Sequence, residues 1–147
     1  MIKKIKNSIW ALTFSLALIL IIGAYFRFVD IDWDETYHLH PDERFLTMVS
    51  TSIRSVENFK EYFNTNTSNL NPHNVLDANG NRTYPFFVYG TFPIFLVRYI
   101  AEWTKNVGYG EIYIVGRYLS GLFDIGTIFL IFLISKELFR NKWLPLF

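Results

Sequence analysis

The chain contains no cysteine among its 147 residues. Disulfide bonds, thiolate metal sites and cysteine nucleophiles are therefore excluded, although this absence does not fix the compartment. A strong net charge is also missing, because 14 basic and 13 acidic residues leave a formal charge of +1. Such a balanced chain has no overall field that would attract nucleic acid, and we expect no nucleic-acid partner.

Aromatic and aliphatic residues, in contrast, are abundant. The chain has 15 Phe, 9 Tyr and 4 Trp, it is 51% hydrophobic, and its mean hydropathy is +0.20. A soluble domain of this length usually has a lower aromatic and apolar content. The composition therefore indicates a membrane protein, whose first partner is the lipid bilayer.

Two apolar stretches are long enough to cross a bilayer, which takes about 20 residues for a hydrocarbon core of ~30 Å. Residues 7–26 carry no charge, and residues 118–135 carry only Asp124. We predict transmembrane helices over residues 8–27 and 114–135. A cleaved signal peptide is the alternative for the first, but the apolar run exceeds the ~7–15 residues of a signal-peptide core.

The flanking charges predict the orientation of these two helices. Basic residues precede the first helix and follow the second, at Lys3, Lys4, Lys6, Lys136, Arg140 and Lys142. The positive-inside rule then puts both ends in the cytoplasm and residues 28–111 outside, in a multi-pass protein of the plasma (inner) membrane. A third crossing within residues 86–103 would violate this rule, and Pro93 and Arg98 interrupt that stretch.

The outside loop is predicted to contain two amphipathic surface helices. Residues 42–63 place apolar side chains at helical spacing, and residues 86–104 combine Trp and Tyr with a few charges. Residues 64–82, rich in Asn, are predicted to form an exposed loop between them. The predicted fold is therefore all-α and integral to the membrane, with two transmembrane helices joined by a long outside loop that carries two juxtamembrane helices.

Acidic residues crowd the segment that follows the first membrane helix. Six of the 13 acids lie within it, namely Asp30, Asp32, Asp34, Glu35, Asp42 and Glu43, together with His38 and His40. A structural explanation is that acids favour a helix start, with Pro41 in its first turn. Three chemical alternatives are a general base, a nucleophilic carboxylate and a divalent-cation site.

The cation alternative rests on alternation, because alternate residues of an extended segment face the same side. Asp32 with Asp34, or His38 with His40 and Asp42, would then supply ligands. We nevertheless expect no tightly held metal and no other cofactor.

Three motifs together resemble a known family. HPDERF (residues 40–45), YGTFPIFL (residues 89–96) and VGRYLSGLFD (residues 115–124) occur in this order between the two membrane helices and into the second. Their order and spacing resemble the N-terminal part of the GT-C glycosyltransferases. The similarity is to the bacterial branch of the family 39-like proteins, which are related to protein O-mannosyltransferases and aminoarabinose transferases. The sequence departs from that pattern at residues 91–93, Thr-Phe-Pro, where many relatives have Lys-Pro-Pro.

The resemblance implies an inverting transfer of a sugar from a polyprenyl-phosphate donor to a hydroxyl acceptor. It implies Asp42 as the general base, with Glu43 orienting the base or the acceptor. The candidate substrate-binding residues are His40, Arg44, Tyr89 and Arg98. Asp42 is preferred over Asp34 because it opens a helix after Pro41, whereas Asp34 is expected in an extended, unsupported stretch.

Family members carry more spans than two, and residues 143–147 end on apolar side chains. The sequence is therefore expected to form a single segment, residues 1–147, at the front of such an enzyme, inactive without further C-terminal transmembrane segments. The alternative function is a small non-catalytic membrane protein whose acidic loop binds a partner or a divalent cation. Asp124 is expected to pack against protein or to pair with Arg117 rather than to face lipid.

Overall fold

The computed structural model describes residues 2–74, 76, 79–81, 89–139 and 144–146, with the backbone alone for residues 2–9 and 144. This part of the chain is helical and contains no strand, as the sequence predicts. The helices are α1 (Ile2–Phe28), α2 (Pro41–Ser52), α3 (Phe59–Phe63), α4 (Thr91–Thr104) and α5 (Tyr109–Leu138), with short 3-10 turns at Pro72–Asn74 and Leu144–Leu146. The chain divides into two compact units, Met1–Ile31 with Tyr118–Phe147, and Asp32–Arg117.

Two helices are long and apolar enough to cross a membrane, which confirms that part of the prediction. They are Trp10–Phe28, of 19 residues, and Tyr109–Leu138, of 30 residues. At 1.5 Å per residue, the first is about 28 Å long and the second about 45 Å, so each matches or exceeds the hydrocarbon core. Their side chains are mostly exposed, as expected for helices whose solvent is lipid.

The first unit pairs α1 with the later part of α5 at close range. A Cβ atom on Gly121 would lie 2.6 Å from Cε1 of Phe28, so any larger residue there would require the Phe28 ring to move. The Phe28 and Tyr118 rings stack with centroids 5.7 Å apart. Small residues at such crossings let helix backbones approach each other in lipid. Asp124 accepts from Nε of Arg27 at 2.6 Å. It therefore pairs with Arg27, and not with Arg117 as the sequence suggested.

The second unit is built around the packing of α2 on α4. Its buried cluster consists of Val49, Ile53, Leu70 and Ile94. Arg98, also buried, donates to Oε1 of Glu102 at 2.6 Å and to the carbonyl of Ser50 at 3.2 Å. It thus binds the carbonyl end of α2, where basic groups complement the helix dipole.

The predicted surface helix over residues 42–63 is two helices. α2 ends at Ser52, and α3 begins after Asn58, whose side chain accepts from the N–H of Glu61 at 3.0 Å. Asparagine is among the best N-cap residues, and this cap starts a new helix. The second predicted surface helix, residues 86–104, begins in the structure at Thr91; residues 86–88 lie outside the described part.

The described part of the Asn-rich segment is anchored to the core by Leu70 rather than fully exposed. Leu70 is buried in the cluster, and the side-chain amide of Asn71 donates to the carbonyl of Thr65 at 2.7 Å. The amide of Asn74 donates to Thr65 and Ser68 carbonyls at 3.0 and 3.1 Å. Asn side chains therefore satisfy the backbone of this loop, a role that the sequence pattern did not reveal.

Candidate functional site

Arg117, in the third turn of α5, organises the acidic segment. It donates from Nε to Oε1 of Glu43 at 2.7 Å and from Nη2 to Oε2 at 2.6 Å. Its Nη1 lies 3.0 Å from Oδ1 of Asp34 and 3.9 Å from Oδ1 of Asp32. One guanidinium thus serves three carboxylates, and the two-point contact with Glu43 is the strongest geometry available to an arginine–carboxylate pair.

Two aromatic rings flank the same guanidinium. Its carbon lies 5.3 Å from the centroid of the Trp33 ring and 4.7 Å from that of Tyr113. The hydroxyl of Tyr113 also donates to Oδ1 of Asp32 at 2.5 Å. Cation–π contacts strengthen when the cation is shielded from water, so the rings add to the hold on Arg117.

Asp34 is buried, with only 3% of its surface exposed. The expectation of an unsupported, extended carboxylate is therefore wrong. The Arg117 guanidinium lowers the pKa of Asp34 most, burial opposes this, and the N–H of Leu39, which donates to Oδ2 at 3.3 Å, lowers the pKa further. A carboxylate held in its charged form in this way is a weak proton acceptor.

The backbone around Asp34 is tightly turned. Asp30, Glu35, Thr36 and His38 have φ angles of +53°, +46°, +71° and +50°. Non-glycine residues in this region cost on the order of 1–3 kcal/mol each and persist only where the surroundings enforce them. The contacts of Asp34 and Arg117 supply that constraint, so the segment is a supported turn and not an extended strand.

The two histidines do not converge as the cation hypothesis required. His38 is buried against the rings of Tyr109 and Tyr113, with centroids 4.3 and 4.6 Å away. His40 is exposed and caps α2, its Nδ1 accepting from the N–H of Glu43 at 3.4 Å. Among the described residues, no group of three His, Asp or Glu side chains has the arrangement of a metal site.

Asp42 has a different environment from Asp34. It lies exposed in the first turn of α2, where the helix dipole favours a negative charge. Tyr89 donates a hydrogen bond to it, and this bond is the main reason that the pKa of the Tyr89 hydroxyl is raised. The Tyr89 ring packs against Phe45 of α2, with centroids 6.0 Å apart. Asp42 and Tyr89, both candidate site residues, are therefore neighbours.

The other candidate residues are either engaged in ion pairs or exposed near Asp42. Glu43 is bound by Arg117, and Arg44 is exposed on α2 beside Asp42. Arg98, predicted as a substrate ligand, is instead engaged with Glu102 and the end of α2, so we remove it from the site.

Arg117 and Tyr113 were missed by the sequence analysis. From the sequence, Arg117 is considered only as a possible partner of Asp124. The sequence did contain one indication of its role. Arg117 is a charged residue near the start of an apolar helix, and the acidic segment offers several carboxylates that could pair with it. Comparisons of the chain with protein-family models, with curated proteins and with solved structures found no match.

Proposed function

We propose that this chain is part of an integral-membrane glycosyltransferase that moves a sugar from a polyprenyl-phosphate donor to a hydroxyl acceptor, with Asp42 as the general base. The observation that carries the proposal is the separation of the carboxylates. Asp34 and Glu43 are bound to Arg117, whereas Asp42 is exposed in the first turn of α2, with Tyr89 beside it. A general base needs access to a substrate proton, and Asp42 has it.

The chemistry requires one base and little acid. The acceptor oxygen forms a bond to the anomeric carbon while the bond from that carbon to the phosphate oxygen breaks, and the configuration inverts. The phosphate leaves with the electron pair, and the acceptor proton moves to Asp42. Because a phosphate needs little protonation to leave, one carboxylate suffices.

The neighbours of Asp42 have supporting roles in this proposal. Glu43 is bound at two points by Arg117 and thereby fixes the first turn of α2. This contact also fixes the position of the Asp42 carboxylate. Arg44 and His40, both exposed beside Asp42, are the groups we assign to the donor phosphate. The divalent-cation alternative has less support, because a guanidinium already neutralises Asp34 and Glu43.

The proposed topology places residues 28–111 outside and both ends in the cytoplasm. The chain has no cysteine, so a single introduced cysteine gives labelling without background. Asn66 is a suitable position because it is exposed. Asn74, in the same loop, is less suitable because its side-chain amide donates to the carbonyl of Thr65. A cysteine at Asn66 should react with an impermeant maleimide added to intact cells. Reaction only after the cells are opened would contradict the topology.

The catalytic proposal is tested by a transfer assay. Membranes from cells that express the full-length gene containing this sequence are given a radiolabelled polyprenyl-phosphate sugar. Loss of a general base typically costs about 10²–10⁴-fold, so Asp42→Asn should lose that much turnover while donor binding and expression hold. Glu35→Gln, an exposed acid outside the α2 start, serves as the control. A fully active Asp42→Asn protein would remove the assignment.

A further inference from the structure

A cavity of about 580 Å³ lies within the unit Asp32–Arg117. Its walls come from three places: Tyr62 and Phe63 of α3, Ser68 and Asn71 of the Asn-rich loop, and Tyr89 and Phe95 at and after the start of α4. The volume falls within the roughly 300–1,000 Å³ of small-molecule pockets. The mechanism proposed above does not yet use this cavity.

The chemistry of the walls favours an uncharged ligand with many hydroxyls. Aromatic rings are interspersed with hydroxyl, amide and imidazole groups, and the described lining residues include no Asp, Glu, Lys or Arg. Flat apolar faces suit the C–H face of a sugar ring, and the polar groups suit its hydroxyls, since each can donate and accept. A phosphate or a carboxylate would instead need a cationic partner.

The walls are also fixed before any ligand arrives. Leu70 anchors the loop in the core, and Asn71 and Asn74 bind its carbonyls through their side-chain amides. The amide oxygen of Asn71 accepts from the N–H of His73 at 3.0 Å. A site that is ordered in advance loses less conformational freedom on binding.

Tyr89 connects the cavity to the first turns of α2, because its side chain lines the cavity and its ring packs against Phe45, three residues after Asp42, with centroids 6.0 Å apart. An interaction with the Asp42 carboxylate also raises the pKa of the Tyr89 hydroxyl. We infer that the cavity binds the acceptor, and that the acceptor is an uncharged saccharide whose reacting hydroxyl enters beside Tyr89. The assignment as an acceptor site rests on the proposed function, whereas binding of the saccharide does not. Tyr89 is then a positioning residue that holds Asp42 toward the cavity mouth.

Binding is tested without turnover, by saturation-transfer NMR on the detergent-solubilised chain. The probes are methyl glucoside, methyl mannoside and maltotriose, with glucuronate as the charged counterpart. We expect transfer to at least one neutral probe and none to glucuronate. Transfer to none of the neutral probes, or equal transfer to glucuronate, would overturn the inference.

The location is tested with two phenylalanines of α3. Phe63 lines the cavity and is 70% exposed, whereas Phe59 is 78% exposed and is not among its lining residues. Phe63→Ala should weaken neutral-saccharide binding by about tenfold or less, as expected for one aromatic contact, and Phe59→Ala should not. Equal effects of the two substitutions would place the saccharide elsewhere.

Tyr89→Phe separates this inference from the proposed function. The variant keeps the ring and loses the hydrogen bond to Asp42. We therefore expect saccharide binding to persist and turnover in the transfer assay to fall, with little change in KM for the acceptor. If the protein binds the neutral saccharide but transfers no sugar, the saccharide site is supported and the glycosyltransferase proposal is refuted. A rise in KM alone, without a fall in turnover, would refute the positioning role of Tyr89.

Discussion

The two Asp-Glu pairs of the acidic segment, residues 34–35 and 42–43, have the same sequence and opposite environments. In the first pair, Asp34 is buried beside Arg117 and Glu35 is exposed. In the second, Asp42 is exposed and Glu43 is bound by the same arginine. Arg117 thus binds the first acid of one pair, Asp34, and the second acid of the other, Glu43. The remaining acid of each pair is exposed to solvent.

The difference follows from backbone conformation. The first pair lies in a tight turn with positive φ angles, which directs Asp34 inward, whereas the second opens a regular helix, whose successive side chains point in different directions. Of the two exposed acids, Asp42 has a helix N-terminus and Tyr89 beside it. Identical dipeptides therefore supply a structural anchor in one place and a candidate base in the other.

Removal of Arg117 should affect both Asp-Glu pairs more than any other substitution. Arg117→Met would leave the buried Asp34 without its partner, and breaking a buried pair from one side typically costs about 3–5 kcal/mol. We expect the free energy of unfolding of the detergent-solubilised chain to fall by about that amount. Arg44→Met, at an exposed position of α2, is the matched control. Similar losses for both variants would mean that Arg117 does not organise the segment.

The two aspartates should differ in stability as well as in activity. Asp34→Asn weakens charge-assisted contacts in a buried place and should cost about 1.5–3 kcal/mol of unfolding free energy. Asp42→Asn removes a charge that the helix dipole favours and weakens an exposed hydrogen bond from Tyr89, so it should cost only about 0.3–1 kcal/mol. Urea titration followed by circular dichroism measures both. The reverse order of the two losses would contradict the assignment of roles.

The pH dependence of stability provides a third test. The pKa of Asp34 is lowered in the folded chain, chiefly by Arg117, so its contribution to stability is complete above its unfolded pKa and disappears as the pH falls through the folded value. Wild type should lose this contribution below about pH 4, near the unfolded pKa of an aspartate. Asp34→Asn should show a flatter acid limb in the same titration. Identical acid limbs would indicate that Asp34 is not ion-paired.

A small effect, similar to that of Asp42→Asn, is expected at the ion pair of the other unit. Arg27 and Asp124 meet at 2.6 Å with side chains that are 46% and 54% exposed, in contrast to the buried Asp34. Polar contacts between membrane helices average about 0.6 kcal/mol, so Asp124→Asn should cost roughly that amount. Unfolding in the same detergent allows a direct comparison with Arg117→Met. A loss as large as that of Arg117→Met would show that burial does not decide the strength of these pairs.

The helical class and the two long apolar helices could be predicted because each depends on composition and period along the chain. The different environments of Asp34 and Asp42 could not be predicted. They depend on Arg117, which lies far away in sequence, and on turn residues in unusual φ regions. The break between α2 and α3 was likewise hidden, since the apolar period continues through it while the Asn58 cap and the Arg98 contacts interrupt the helix. Tertiary contacts of this kind leave no periodic signal.

Arg117 protects one acid of each pair and leaves the other accessible. Carbodiimide labelling of the folded chain with an amine, followed by tandem mass spectrometry, measures the accessibility of each carboxylate separately. The account predicts rapid modification of Asp42 and Glu35, slow modification of Asp34 and Glu43, and equal rates for all four after unfolding in urea. Modification of Asp34 as fast as that of Asp42 in the folded chain would contradict it.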